Sequence, residues 1–306
     1  MSVKCIDLQV NGAFGIDLFR AGPEKLDELS TRLARARVDA FLPTLITAPE
    51  ALWWKALGEV GRWVARAKRA RPLGLHLEGP FLNPQASGVH PSADMRRATV
   101  EWLERIWRES SETVRLMTVA PEVHSDAELR LLCAWARRRG VRLSIGHSVA
   151  TYEQARRAFD LGFTGVTHAW NAGRFHHRDP GVLGAALGRD DVYVMVIPDL
   201  VHAHAVSVEW ILRMHPAGRV VFVSDCAPSA GLRDGEEADF GSFRVRQVAG
   251  EARVVEARGV FGAIGGSGML LPQAVARFKK ASKWARSFSV ARWGGWCGGN
   301  AARWLR

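Results

Sequence analysis

Cysteine is scarce in this chain, with 4 among 306 residues. Cys5, Cys133, Cys226 and Cys297 are scattered, with no CxxC pair and no disulfide-framework spacing. That pattern suits a reducing compartment and excludes a small disulfide-stapled secreted fold. Long hydrophobic runs are missing too. No stretch reaches the roughly 18 apolar residues of a membrane-crossing helix, so no membrane partner is expected. Met1-Ser2-Val3-Lys4-Cys5-Ile6-Asp7 runs straight into an apolar alternation, without an h-region or cleavage site. A cytoplasmic location is the resulting expectation. Acidic residues are outnumbered, 31 against 42 Lys and Arg, giving a formal charge of +11. The excess is mostly Arg on helix-like stretches such as Arg62–Arg71 and Arg137-Arg138-Arg139. No helix-turn-helix, zinc-finger or RNP pattern accompanies it, so it reads as solvated helix faces and no specific nucleic acid is expected. Such a charge would still attract a phosphorylated small molecule.

Apolar residues make up 47% of the chain, enough for a sizeable core. Short apolar runs alternate with helix-like stretches. The strand candidates are Cys5–Val10, Ala40–Ile46, Leu73–Leu77, Val114–Val119, Arg142–Ile145, Gly165–Thr167, Val192–Ile197 and Val220–Ser224. Helical patterns between them cover Glu24–Ala36, Ala51–Arg69, Asp94–Arg108, Asp126–Arg139 and Thr151–Leu161. Thr151-Tyr152-Glu153-Gln154 reads as a capping box, and Asp126 as an N-cap. Eight β/α units predict a single (β/α)8 TIM barrel over residues 1–306. An open doubly wound sheet would call for a glycine-rich phosphate loop, and neither GxGxxG nor GxxxxGK[ST] is present. Residues 236–262 break the rhythm. Phe243–Val248 and Arg253–Glu256 flank Ala249-Gly250-Glu251, which predicts a small β-hairpin insertion. A helix near Leu271–Lys283 and a Gly- and Trp-rich tail follow.

Catalytic groups of such barrels sit at the C-terminal strand ends. Nearly every end here carries unusual polar residues: Gln9 and Asn11, Thr44 and Thr47, His76 and Glu78, Glu122, His147, His168 and Asn171, Asp199 and His202, and Asp225. A lone His or Glu at such a position is commonly just a satisfied hydrogen-bonding residue. Several ionisable groups converging on one rim point to chemistry, because burying them unpaired is costly. Glu78, His147 and His168 form the best metal set, suited to Zn²⁺ or Fe²⁺. A metal there would lower the pKa of a bound water and supply the nucleophile. Asp225 is the candidate general base and acid. Cys226, beside it, has no paired His in local sequence and reads as a packing residue.

The motifs resemble the N-acetylglucosamine-6-phosphate deacetylase family of the amidohydrolase superfamily. They are Ile6-Asp7-Leu8-Gln9-Val10-Asn11-Gly12, His76-Leu77-Glu78-Gly79-Pro80-Phe81, Ala120-Pro121-Glu122, Ile145-Gly146-His147-Ser148, Val166-Thr167-His168-Ala169-Trp170-Asn171-Ala172 and His176-His177-Arg178-Asp179-Pro180-Gly181. The resemblance implies a metal-dependent barrel enzyme that removes acetate from N-acetylglucosamine 6-phosphate, giving glucosamine 6-phosphate. It implies metal ligation by Glu78, His147 and His168, with Asp225 handling the proton. It implies that His90 polarises the acetamide carbonyl, and that Val89, Asn171, Ala172, Ile264, Gly265 and Gly266 line the sugar site. Arg178 and His202 would bind the phosphate, as residues that act across a homodimer interface in this family. Gln9 and Asn11 stand where two-metal amidohydrolases carry His-x-His, so one divalent cation per chain is expected.

Three departures from the family pattern stand out. The chain starts at the first barrel strand, so the flanking β-sandwich is expected to be absent. Ser224-Asp225-Cys226 replaces the usual Thr-Asp-Ala. Ile197-Pro198-Asp199-Leu200-Val201-His202 differs from the usual Asp-Gly approach to the His, and Pro198 removes a backbone donor. These changes leave two alternatives: a deacetylase of another N-acyl substrate such as N-acetylgalactosamine 6-phosphate, or a non-catalytic sugar-phosphate binding protein.

Overall fold

Eight parallel strands wind in sequence order around a nearly closed barrel, in a computed structural model that describes residues 5–64, 66–67, 71–256 and 261–306. They are β1 (Ile6–Val10), β2 (Ala40–Ile46), β3 (Leu75–Glu78), β4 (Val114–Val119), β5 (Arg142–Ile145), β6 (Gly165–Val166), β7 (Tyr193–Val196) and β8 (Val220–Phe222). All eight expected strands form, most of them trimmed or shifted by a residue or two. Register aligns Ile46 with Glu78, and Glu78 with Thr118, so neighbouring strand ends finish level at one rim.

The strands are buried on both faces, as a parallel sheet requires. Leu8, Leu42, Leu116, Met195 and Val221 fill the barrel interior. Phe41, Leu77, Met117, Ile145, Val194 and Phe222 face the surrounding helices. The joint between β8 and β1 is made differently from the ladders. Asp7 Oδ1 accepts the Ser224 N–H at 3.0 Å and the Gln9 N–H at 3.2 Å. The Asn11 N–H then donates to the Cys226 carbonyl at 3.0 Å.

The helices are α1 (Pro23–Arg35), α2 (Glu50–Val64), α3 (Val100–Glu109), α4 (Asp126–Arg139), α5 (Tyr152–Leu161), α6 (Gly181–Leu187), α7 (Ala205–Met214) and α8 (Leu271–Ala281). The expected capping box of α5 forms: Thr151 Oγ1 accepts the Gln154 N–H, and Gln154 Oε1 accepts the Thr151 N–H. The cap of α4 differs from expectation. Ser125 takes that role in a capping box with Glu128, and Asp126 is the first helical residue. Helix α3 starts later than expected, because Thr99 caps it and residues 92–94 form a separate 3-10 turn. Of the expected end of α2, Ala65, Lys68 and Arg69 lie outside the described residues.

The expected hairpin is the centre of something larger. Strands β9 (Glu237–Phe240), β10 (Phe243–Val248), β11 (Glu251–Val255) and β12 (Phe261–Ser267) form a four-stranded antiparallel sheet. Ala249 and Gly250 turn β10 into β11 with φ of +50° and +89°, the left-handed pair of a two-residue hairpin loop. Strand β12 runs back to the barrel, where Ser267 bridges Cys226. This delivers residues 264–266 to the rim.

The Gly- and Trp-rich tail is helical. It comprises α9 (Val290–Gly294), a π-helical turn (Gly295–Gly299) and α10 (Asn300–Trp304). It plugs the end of the barrel opposite the C-terminal strand ends. Trp304 stacks on Tyr193 with centroids 5.1 Å apart, and its indole N–H donates to Thr164 Oγ1 at 3.0 Å. A Cβ on Gly165 would sit 2.2 Å from the Trp304 ring, so that position accepts only glycine.

Candidate metal centre and active site

Glu78 ends β3, and its side chain is 2% exposed. Its Oε1 lies 2.8 Å from His168 Nε2 and 3.4 Å from His147 Nε2. One ligand atom from each of these three residues falls within 4.8 Å of the others. Burial alone would raise the Glu78 pKa; the two imidazoles outweigh it and hold the carboxyl well below its usual range. His147 Nδ1 lies 2.8 Å from the Ala86 carbonyl, so it carries the proton and leaves the Nε2 lone pair facing Glu78. Such fixing of the tautomer by a carbonyl is typical of metal-ligating imidazoles. Among the described residues, His168 Nδ1 has no hydrogen-bond partner. A carboxylate and two imidazoles on one buried wall make a donor set that fits a divalent transition metal.

The backbone is strained where these groups project. His147, His168, Ala172, Leu200 and Asp225 all have positive φ, between +31° and +63°. Each such non-glycine residue costs on the order of 1–3 kcal/mol, and such strain clusters at functional sites.

Gln9 lies beneath the carboxylate, and its amide N–H donates to Glu78 Oε1 at 2.9 Å. His90 sits on the other side, with Nε2 4.0 Å from Glu78 Oε2. The Thr47 backbone N–H points at His90 Nδ1 from 3.3 Å, which makes Nδ1 the acceptor and leaves the proton on Nε2. Burial, then the nearby His147, pushes His90 down to about 3, so the ring is neutral. Asp225 faces the same space. Burial, reinforced by Glu78, raises its carboxyl to about 6. Gly266 approaches so closely that a Cβ there would meet the Asp225 carbonyl at 2.8 Å. Cys226 is fully buried, and its thiol donates to the Gly12 carbonyl at 3.3 Å. Burial raises its pKa well above the usual thiol value, in keeping with a packing role.

A cavity of about 370 Å³ opens onto these groups. Besides Glu78, His90, His147, His168 and Asp225, it is lined by Val89, Asn171, Ala172, His202, Ile264, Gly265 and Gly266. His202 belongs to its own chain's cavity. Its Nδ1–H donates to Asp199 Oδ2 at 2.8 Å, and Ser267 Oγ donates to the same oxygen at 2.7 Å. Arg178 lies apart, exposed beside Thr151, Tyr152 and Asp179. Among the described residues, no Lys or Arg lines the cavity. Phe240 and Val201 line it as well. Sequence reasoning passed over Phe240 because its position depends on how the inserted sheet folds over the rim. Val201 had a signal in its place beside His202.

No protein-family model matches the chain. It is 34% identical over 233 residues to N-acetylgalactosamine-6-phosphate deacetylase of Escherichia coli O157:H7, covering 75% of this chain and 60% of that protein. It is 35% identical over 243 residues to N-acetylglucosamine-6-phosphate deacetylase of Bos taurus, covering 75% and 58%. Among solved structures it resembles an N-acetyl-D-glucosamine-6-phosphate deacetylase variant from Mycobacterium smegmatis, in complex with N-acetyl-D-glucosamine-6-phosphate. The TM-score is 0.88 at 27% identity, covering 99% of this chain and 77% of that one. The Thermotoga maritima N-acetylglucosamine-6-phosphate deacetylase gives 0.84 at 27% identity, covering 98% and 77%.

Fold and site together define a TIM-barrel protein of the metal-dependent amidohydrolase type. The chain spans about 60% of the length of the curated relatives it matches. It is similar in sequence and in fold to the N-acetylglucosamine-6-phosphate deacetylases.

Proposed function

We propose that this protein removes the acetyl group from N-acetylglucosamine 6-phosphate, giving glucosamine 6-phosphate and acetate. The observation that carries this reading is the convergence of Glu78, His147 and His168 with Asp225 and a protonated His90 Nε2 in one cavity. Glu78, His147 and His168 would hold one divalent cation, Zn²⁺ or Fe²⁺. Bound there, it would act as a Lewis acid toward water and the acetamide carbonyl. Gln9 turns an N–H donor toward Glu78, which disfavours a second cation at that position.

Asp225 takes a proton from the attacking water and returns it to the departing nitrogen as the C–N bond breaks. His90 Nε2–H donates to the carbonyl oxygen, where negative charge develops. Val89, Asn171, Ala172, Ile264, Gly265 and Gly266 shape the sugar pocket. His202 takes the phosphate from within the same chain.

Arg178 points outside its own cavity, so its proposed phosphate contact is made in the site of a second copy. An apolar surface around its loop supports a homodimer. Phe175, Trp210 and Met214 are 51%, 50% and 53% exposed, and Trp170 links the first two rings.

The experiment is acetate release from N-acetylglucosamine 6-phosphate by purified protein, with bound metal measured on the same sample. Turnover with about one metal per chain supports the reading. Bound metal without turnover on this sugar removes it and directs attention to other N-acyl substrates. The similarity to an N-acetylgalactosamine-6-phosphate deacetylase favours one of these in particular, so both epimers belong in the assay.

A further inference from the structure

Glu122 follows β4 at the catalytic rim but does not line the cavity and takes no part in the proton transfers above. Its carboxylate accepts three hydrogen bonds from two loops. Oε1 takes Asn83 Nδ2 at 2.8 Å and the Val149 N–H at 2.7 Å. Oε2 takes Ser148 Oγ at 2.7 Å. The two loops meet on either side of His147. The Asn83 N–H donates to the His147 carbonyl at 3.1 Å. Asn83 Oδ1 accepts the Gln85 N–H and so caps the turn at residues 84–86. That turn presents the Ala86 carbonyl to His147 Nδ1. On the far side, the Ser148 N–H donates to the Ala172 carbonyl at 3.2 Å.

His147 therefore hangs between two loops that share one carboxylate, and its backbone is held at φ +47°. A non-glycine residue in the left-handed region persists only when its surroundings over-determine it. The Glu122 bonds supply that constraint, and as charge-assisted bonds they are stronger than neutral ones. We infer that Glu122 is a positioning residue, which fixes His147 over Glu78 by tying the loop after β3 to the loop after β5.

This inference rests on the metal-site reading above, and the test separates the two. The full chain, stripped with chelator, is titrated with Co²⁺ while its d–d absorption is recorded. If the wild-type protein binds no Co²⁺, the metal-site reading itself fails. With wild-type binding established, Glu122→Ala is expected to weaken Co²⁺ by about 10–100-fold and to alter the absorption bands. Glu122→Gln, which still accepts from Asn83 or Val149 and can donate to Ser148, should recover most of the affinity. Asp17→Ala, which takes the acceptor away from two backbone N–H groups, is the control for general destabilisation. Asp17 accepts the Phe19 and Gly241 N–H groups, each at 3.1 Å, in a carboxylate staple that shares no partner with His147. It should lower thermal stability and leave Co²⁺ affinity and spectrum unchanged. If Glu122→Ala does not fold, Ser148→Ala removes one of the three bonds and should weaken Co²⁺ several-fold. Unchanged Co²⁺ affinity and spectrum in a folded Glu122→Ala or Ser148→Ala overturns the inference, as does an equal loss in Asp17→Ala.

Discussion

Asn11 Nδ2 donates to Asp225 Oδ1 across 2.8 Å, joining the residue after the first barrel strand to the carboxylate that follows the last. The bond engages one carboxylate oxygen of a residue that lines the cavity, and the proposed proton transfer falls to the other. Asp225→Asn should keep the metal and lose about 10²–10⁴ in turnover, the usual contribution of a general acid–base group. The base must be unprotonated to act, and its carboxyl is raised to about 6. A bound cation would draw it lower than in the metal-free site, so wild-type kcat/KM should fall with acid at or below about pH 6, and acetate release from pH 4 to 7 checks it. A flat profile between pH 4 and 7 would take the base role from Asp225.

His147→Ala should lose bound metal, because the imidazole would supply one of the three ligand atoms that lie within reach of a single cation. Metal content after gel filtration, alongside a folded circular dichroism spectrum, tests the assignment. Full occupancy would break it.

Arg178→Ala should raise KM for the phosphorylated sugar about tenfold or more, the scale of a lost charge-assisted hydrogen bond, with kcat nearly unchanged. Unphosphorylated N-acetylglucosamine should respond little. An equal effect on both sugars would separate Arg178 from the phosphate. Mixing the Arg178→Ala and Asp225→Asn proteins provides a second check. Recovered activity would show the arginine of one chain serving the cavity of the other.

Asp7 is 1% exposed at the barrel joint. Burial raises its carboxyl to about 7, although the Ser224 and Gln9 N–H groups pull the other way. An unfolded Asp titrates near 4. Between those values the folded protein keeps a proton that the unfolded chain releases, so stability falls as pH rises from about 4 to about 7. Asp7→Asn should lose that part of the pH dependence. Relative to wild type its stability should improve by about 2–4 kcal/mol across the window. Parallel melting curves for the two proteins at pH 4 to 8 would refute the shift.

Trp304→Ala should destabilise the fold by about 3–5 kcal/mol, since it empties the floor of the barrel and strips an indole from Thr164. Because the floor is far from the rim, residual folded protein should bind metal normally. Chemical denaturation with metal analysis separates the two effects.

The strands were legible because each is a short apolar run bounded by polar rim residues, and that alternation survives without any tertiary knowledge. The rim chemistry was legible for the same reason: Glu78, His147, His168 and Asp225 each sit just where a strand stops. Other features were not legible. Ser125 and Asp126 are both good helix caps, and only the path of the chain decides which of them stands outside the first turn. Two strands of the inserted sheet looked like an isolated hairpin, since nothing local says that β12 turns back to pair with it and then reach Cys226.

The sequence by itself determined the barrel, its order and the residue types at its catalytic rim, because strand period and strand-end polarity are local properties. Tertiary structure alone decided that Gln9 spends its amide on Glu78, that His90 carries its proton on Nε2, and that Glu122 serves two loops instead of the cavity. It also decided that His202 faces its own chain's cavity while Arg178 faces away. These are questions of which partner meets which atom across 26 to 69 residues of chain, and hydrogen bonds are directional. A linear pattern can supply a donor or an acceptor, but only the closed barrel fixes the few ångströms and the angle that pair them.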